Sequence, residues 1–147
     1  MSRFDRLLLQ LSTLLVGGTG LVYAWMLYLV TPADPYAVVN HPWQPQIQHL
    51  HILTAPLLVF AAGFIWRCHI WKQIRLGTPQ GRASGLSLAL TLVPMIVSGA
   101  LIQTAVDASW RQVWVIVHLV SSGLWVVGFL VHQLRTPLGK RSNGAPG

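Results

Sequence analysis

The sequence predicts an all-α integral membrane protein, an up-and-down bundle of four transmembrane helices, and three observations carry that prediction. Charged residues are only 9% of the 147 and apolar residues 53%, whereas roughly a quarter of a soluble domain is charged. Four stretches run without a charge, at Leu7–Val30, Leu50–Trp66, Leu86–Val106 and Val113–Leu134. Each is near the ~20 residues that a helix rising about 1.5 Å per residue needs to cross ~30 Å of hydrocarbon. The charges are also sorted: Arg3, Arg6, Arg67, Lys72, Arg75, Arg82, Arg135, Lys140 and Arg141 fall on one side of a four-helix topology, and only Arg111 on the other. That positive-inside bias directs both termini to the cytoplasm.

The first helix is expected over about 7–30. Arg3 and Arg6 precede it as they would a secretion signal, but its apolar core is far longer than the roughly 7 to 15 residues of a cleaved one. Its "VGGTG" at 16–20 is small enough for another helix, or a flat cofactor, to come close. An outer loop follows, interrupted by Pro32, Pro35, Pro42 and Pro45, with Tyr36 and Trp43 suited to the membrane interface. The second helix is expected over 47–74, since Arg67 near its end can snorkel, and Pro56 should bend it. "LGTPQGRASG" at 76–85 leads to a third helix over 86–106, which contains Pro94 and the small pair Ser98 and Gly99. A short loop, "DASWRQ" at 107–112, precedes a fourth helix over 113–134. Residues 1–134 then form one membrane domain and 135–147 a disordered cytoplasmic tail. No internal repeat and no soluble domain stand out. The net charge of +7 is an orientation signal with contacts to anionic lipid, and nucleic acid is not an expected partner.

The histidines suggest chemistry. Because successive helices alternate in direction, the second and fourth run parallel, and each carries histidine near both ends. His49, His51 and His118 lie at the outer ends, and His69 and His132 at the inner ends. One imidazole from each of two helices at the same depth can hold a haem iron from both faces. At about 100° per residue, His51 and His69 share a helix face, as do His118 and His132, while His49 is turned roughly 160° from His69. His51 is therefore the better outer ligand. The two ligand pairs differ in axial separation, about 27 Å against about 21 Å. The inner pair His69 and His132 is consequently the firmer assignment, and His51 with His118 the second.

Other chemistries fit less well. Cys68 is the lone cysteine and no C-x-x-C-H motif could attach haem covalently, so a haem here would be b-type. Zinc would want more ligands than the spans offer, because the only acidic residues are Asp5, Asp34 and Asp107. Arg67, Arg75 and Arg135 could neutralise inner haem propionates, and Arg111 outer ones, although the same residues also serve as interfacial anchors. His41, in the proline-rich loop, reads as an interfacial residue and not a ligand.

The segments "HLHILTAPLLVF", "WRCHIW", "VHLVSSGLW" and "LVHQL" resemble the small four-helix bacterial cytochrome b proteins. That broad group contains cytochrome b561-like proteins and the cytochrome b subunits of formate dehydrogenases and hydrogenases. The resemblance covers about 7–134 and implies a bundle enclosing haem, with His51 and His118 on an outer iron and His69 and His132 on an inner one. The dehydrogenase-type subunits usually draw a ligand from the first helix, and this first helix has no histidine.

Two imidazoles on one iron leave no open coordination position, which favours electron transfer. The expected function is transmembrane electron transfer by a di-haem b-type cytochrome of the bacterial cytoplasmic (inner) membrane. As the membrane anchor of an oxidoreductase, it would exchange electrons between the quinone pool and a periplasmic partner such as a c-type cytochrome or iron–sulfur protein. His49 and Asp107 are the candidates for a quinone site. The alternatives are a stand-alone mono- or di-haem quinone reductase and a haem-free assembly or scaffold protein. Homo-oligomerisation stays open.

Overall fold

The computed structural model describes residues 3–66 and 82–141, with side chains for 3–66 and 85–134. The regular structure of the described residues is all helical, with α1 at Arg3–Tyr28, α2 at Gln44–Ile65, α3 at Arg82–Thr104 and α4 at Ala108–Arg141. All four are long and apolar enough to cross a membrane. The chain divides into two compact units, Met1–Lys72 and Gln73–Gly147. Each is a helical hairpin in which α1 packs on α2, or α3 on α4.

The helices outrun the apolar stretches at several ends, and the reason is physical. An uncharged run marks where lipid begins and ends, whereas a helix can continue into the interface carrying charge. So α1 starts at Arg3 and takes in Asp5 and Arg6, α3 starts at Arg82, and α4 continues past Leu134 to Arg141 instead of stopping at 134. The α2 start moves from the expected 47 to Gln44, with Pro45 in the first turn, where its missing N–H costs nothing. Trp66 continues α2 in helical conformation, with φ −52° and ψ −51°. The expected extension to 74 lies outside the described residues, as does the tail from 142.

Local hydrogen bonds close the loop ends of the two hairpins. In the 29–43 loop, Asn40 donates through Nδ2 to Leu27 O (2.8 Å), and its N–H donates to Gln44 Oε1 (3.0 Å), tying the end of α1 to the start of α2. Gln44 is buried there. The His41 ring lies 6.3 Å from that of Trp25, and its Nδ1 accepts from Trp43 N (3.1 Å). Asp107 caps α4: Oδ1 accepts from Trp110 N at 2.9 Å, three residues on.

Small polar side chains are buried alongside apolar ones, and many large apolar side chains are exposed. Ser98 is fully buried at 0% exposure, whereas Leu14 and Leu53 are 73% and 75% exposed. Ser12, Thr13, Thr54 and Ser121 are buried too. Small polar side chains let helix backbones approach, and many bulky ones are left facing outward, though Leu58, Ile65, Trp125 and Phe129 are buried. In hydrocarbon a hydroxyl gains from an acceptor within the protein, and among these Thr13 Oγ1 has none. Thr54 donates to Leu50 O (2.8 Å), Ser121 to Val117 O (2.7 Å) and Thr91 to Ser87 O (2.9 Å), each one turn back along its own helix.

The Asp107 cap yields a test. Asp107→Ala is expected to lower stability by about 1 kcal/mol, and Asp107→Asn to retain most of it, in reversible denaturation in mixed micelles. Equal loss in both variants would remove the cap as the explanation.

Candidate functional site

Among the described histidines, His51 on α2 and His118 on α4 have the same surroundings. His51 Nδ1 lies 3.0 Å from Val16 O and 3.2 Å from Thr19 Oγ1, both on α1. His118 Nδ1 lies 2.9 Å from Met95 O and 3.3 Å from Ser98 Oγ, both on α3. A carbonyl oxygen only accepts, so in both rings Nδ1 carries the hydrogen and donates it. The neutral ring then has its lone pair at Nε2.

Glycine makes this approach possible. Within an α-helix the Val16 carbonyl already accepts from the N–H of residue 20, and a side chain at 20 would stand beside that carbonyl. At Gly20 an added Cβ would lie 2.9 Å from His51 Cε1, and at Gly99 it would lie 3.2 Å from His118 Cε1. The first distance is closer than real Cβ contacts and the second requires the ring to shift. Gly17 and Gly18, by contrast, have open space where a Cβ would go.

The hydroxyls complete the cradle. Thr19 Oγ1 donates to Leu15 O (2.8 Å), and Ser98 Oγ donates to Pro94 O (2.6 Å). Each hydroxyl has one hydrogen, and spending it on the helix turns an oxygen lone pair toward the imidazole. Nδ1–H is thereby shared between a carbonyl and a hydroxyl oxygen.

Sequence reasoning noticed "VGGTG" and the Ser98–Gly99 pair separately but missed that they are one arrangement used twice. Val16, Thr19 and Gly20 stand at i, i+3 and i+4, as do Met95, Ser98 and Gly99. The histidine helices match as well, with Thr54 three residues after His51 and Ser121 three after His118. On α2 the sequence positions 51, 54, 58, 61 and 65 include the buried Thr54, Leu58, Ala61 and Ile65. The same spacing on α4 gives 118, 121, 125, 128 and 132, with Ser121 and Trp125 buried and His132 half-buried. In this register His132 corresponds to Ile65, and His69 comes one helical turn later in the sequence. That turn is the roughly 6 Å mismatch seen from spacing alone.

The remaining candidates divide as follows. His49 is exposed on α2, and Arg111 is exposed in the first turn of α4. Asp107 serves as the α4 cap and lines a shallow recess of about 170 Å³ with Ser109, Trp110 and Val113. His69, Arg67 and Arg75 lie outside the described residues, as does the Arg135 side chain. Among the described residues, no three of His, Cys, Asp and Glu come together as a metal-ion site. No protein-family model, curated protein or solved structure matches the chain.

Stability measurements can test the cradle without reference to any ligand. Gly17→Ala and Gly18→Ala should be neutral or stabilising by up to ~1 kcal/mol, as helix propensity dictates. Gly20→Ala should instead destabilise by roughly 1 to 3 kcal/mol, with a smaller loss for Gly99→Ala. Adding His51→Ala to Gly20→Ala should recover part of that loss, because the clash is removed with the ring. Simple additivity in this cycle would contradict the contact.

Proposed function

We propose that the protein is a small membrane cytochrome b, with His51 and His118 as axial ligands of one b-type haem and His69 and His132 as those of a second. The observation that carries this reading is the matched Nδ1–H bond from His51 and His118 to a helix carbonyl. Histidines that bind metal through Nε2 almost always donate the other ring N–H to a carbonyl, carboxylate or water, which sets tautomer and ring orientation. The donor set therefore fits a haem iron. His41 differs, since its Nδ1 accepts a hydrogen bond within the loop.

Bound haem would supply one-electron redox chemistry, and two ligand pairs at different depths would carry electrons across the membrane. The chain's own residues do the positioning. Val16 O and Met95 O orient the rings. The apolar, lipid-facing exterior keeps water from the spans, and the basic residues orient the chain with both termini in the cytoplasm. Arg111 is suited to a propionate at the outer side, and Arg67, Arg75 and Arg135 to propionates at the inner side. The exposed His49 is the better proton acceptor for a quinone, since the Asp107 carboxylate is already used as a helix cap. The cellular role is that of an anchor subunit in the bacterial inner membrane, passing electrons between quinone and a periplasmic c-type cytochrome or iron–sulfur protein.

The test is haem per polypeptide in protein purified from haem-replete membranes, with a reduced-minus-oxidised spectrum. Two b-type haems are expected. His51→Ala and His118→Ala should each lose the same one, and His69→Ala and His132→Ala the other. His41→Ala and His49→Ala should lose neither. A folded, colourless wild-type preparation would sink the reading and favour a haem-free scaffold.

A further inference from the structure

We infer that Thr19 and Ser98 are positioning residues that tune the outer haem through the imidazoles of His51 and His118, an inference that rests on the haem reading above. Neither hydroxyl is needed for the Nδ1–H bond itself, because Val16 O and Met95 O already accept it at 3.0 and 2.9 Å. Nor does back-bonding account for their placement, since Thr54, Thr91 and Ser121 satisfy that need on their own helices. What distinguishes Thr19 and Ser98 is a second, cross-helix relation to a ring nitrogen, at 3.2 and 3.3 Å, repeated in both hairpins.

The hydroxyl's one hydrogen is held by the carbonyl four residues back, at 2.8 Å for Thr19 and 2.6 Å for Ser98. Its oxygen therefore faces Nδ1–H as an acceptor. A carbonyl that already accepts a helix N–H is a weakened acceptor, and the hydroxyl adds a second one beside it. Two acceptors polarise Nδ1–H more than one, raise the donor strength of Nε2 and limit rotation of the ring. A stronger nitrogen donor stabilises the oxidised iron and lowers the reduction potential. Because the device is duplicated, both ligands are tuned in the same direction.

Thr19→Val and Ser98→Ala remove the hydroxyls and leave the carbonyls. Each is expected to retain haem while the midpoint potential of the outer haem rises and its low-spin EPR signal shifts, with the inner haem unmoved. Thr19→Ser and Ser98→Thr should restore the wild-type values. Unchanged potentials and EPR signals in both hydroxyl-free variants would overturn the inference, as would shifts confined to the inner haem. A second readout is independent of haem. In nitrogen-15 spectra of the full chain prepared without haem, Thr19→Val should move the Nδ1 resonance of His51, and Ser98→Ala that of His118. Unmoved resonances overturn the inference. Resonances that move in a chain that never takes up haem overturn the haem reading, and with it the tuning of haem, while the hydroxyl contact stands.

Discussion

An imidazole in the apolar zone of a membrane has to find an acceptor for its N–H inside the protein, because hydrocarbon offers none. Here the nearest suitable acceptor is another helix's backbone, and that backbone is normally shielded by side chains. Gly20 and Gly99 remove the shield at the one position where it would block His51 or His118. Close packing then follows from small residues on the shared faces, with Thr19 and Ser98 filling the remaining space by supplying oxygen instead of carbon. Many bulky Leu and Val side chains, Leu14 and Leu53 among them, are left to the outside, where lipid costs them nothing.

The duplication gives each hairpin the same capacity by itself. A carbonyl, a hydroxyl and a glycine on one helix hold a histidine on the next, whether the intervening loop is the long 29–43 segment or the short 105–107 turn. The long loop is ordered by its own polar bonds through Asn40, Gln44 and Asp34, and Asp107 performs the equivalent task in the short one. The likeness ends further along the second helix of each pair, where Ile65 stands in the register position of His132. His51 and His118, near the hairpin loops, are thus held alike, and the likeness does not extend to position 65 against 132.

This shifts the weight among the candidate ligands. Spacing along the sequence puts His69 with His132 first, and His69 lies outside the described residues. The hydrogen-bond geometry favours His51 and His118, whose tautomer and ring orientation are set by named acceptors. It also separates His51 from His49, which is exposed, and from His41, which accepts at Nδ1 within its loop.

The four membrane-length helices of the described residues were legible in the sequence, because length and apolarity are properties summed along a segment. The sequence also let His51 and His69, and His118 and His132, be read as sharing helix faces, since a helix turns by a constant angle per residue, although His69 lies outside the described residues. It placed the helix ends poorly, at Gln44 and beyond Leu134, because hydropathy reports the lipid boundary and helix ends are set by caps and prolines. The cradle was legible only in fragments, as glycines beside a threonine or a serine. Their meaning depends on bonds such as His51 to Val16 and His118 to Met95, between residues far apart in the chain. Only the packing of α1 on α2 and of α3 on α4 decided it, because a hydrogen bond needs two groups within about 3 Å and no periodicity along one helix specifies what the next helix presents.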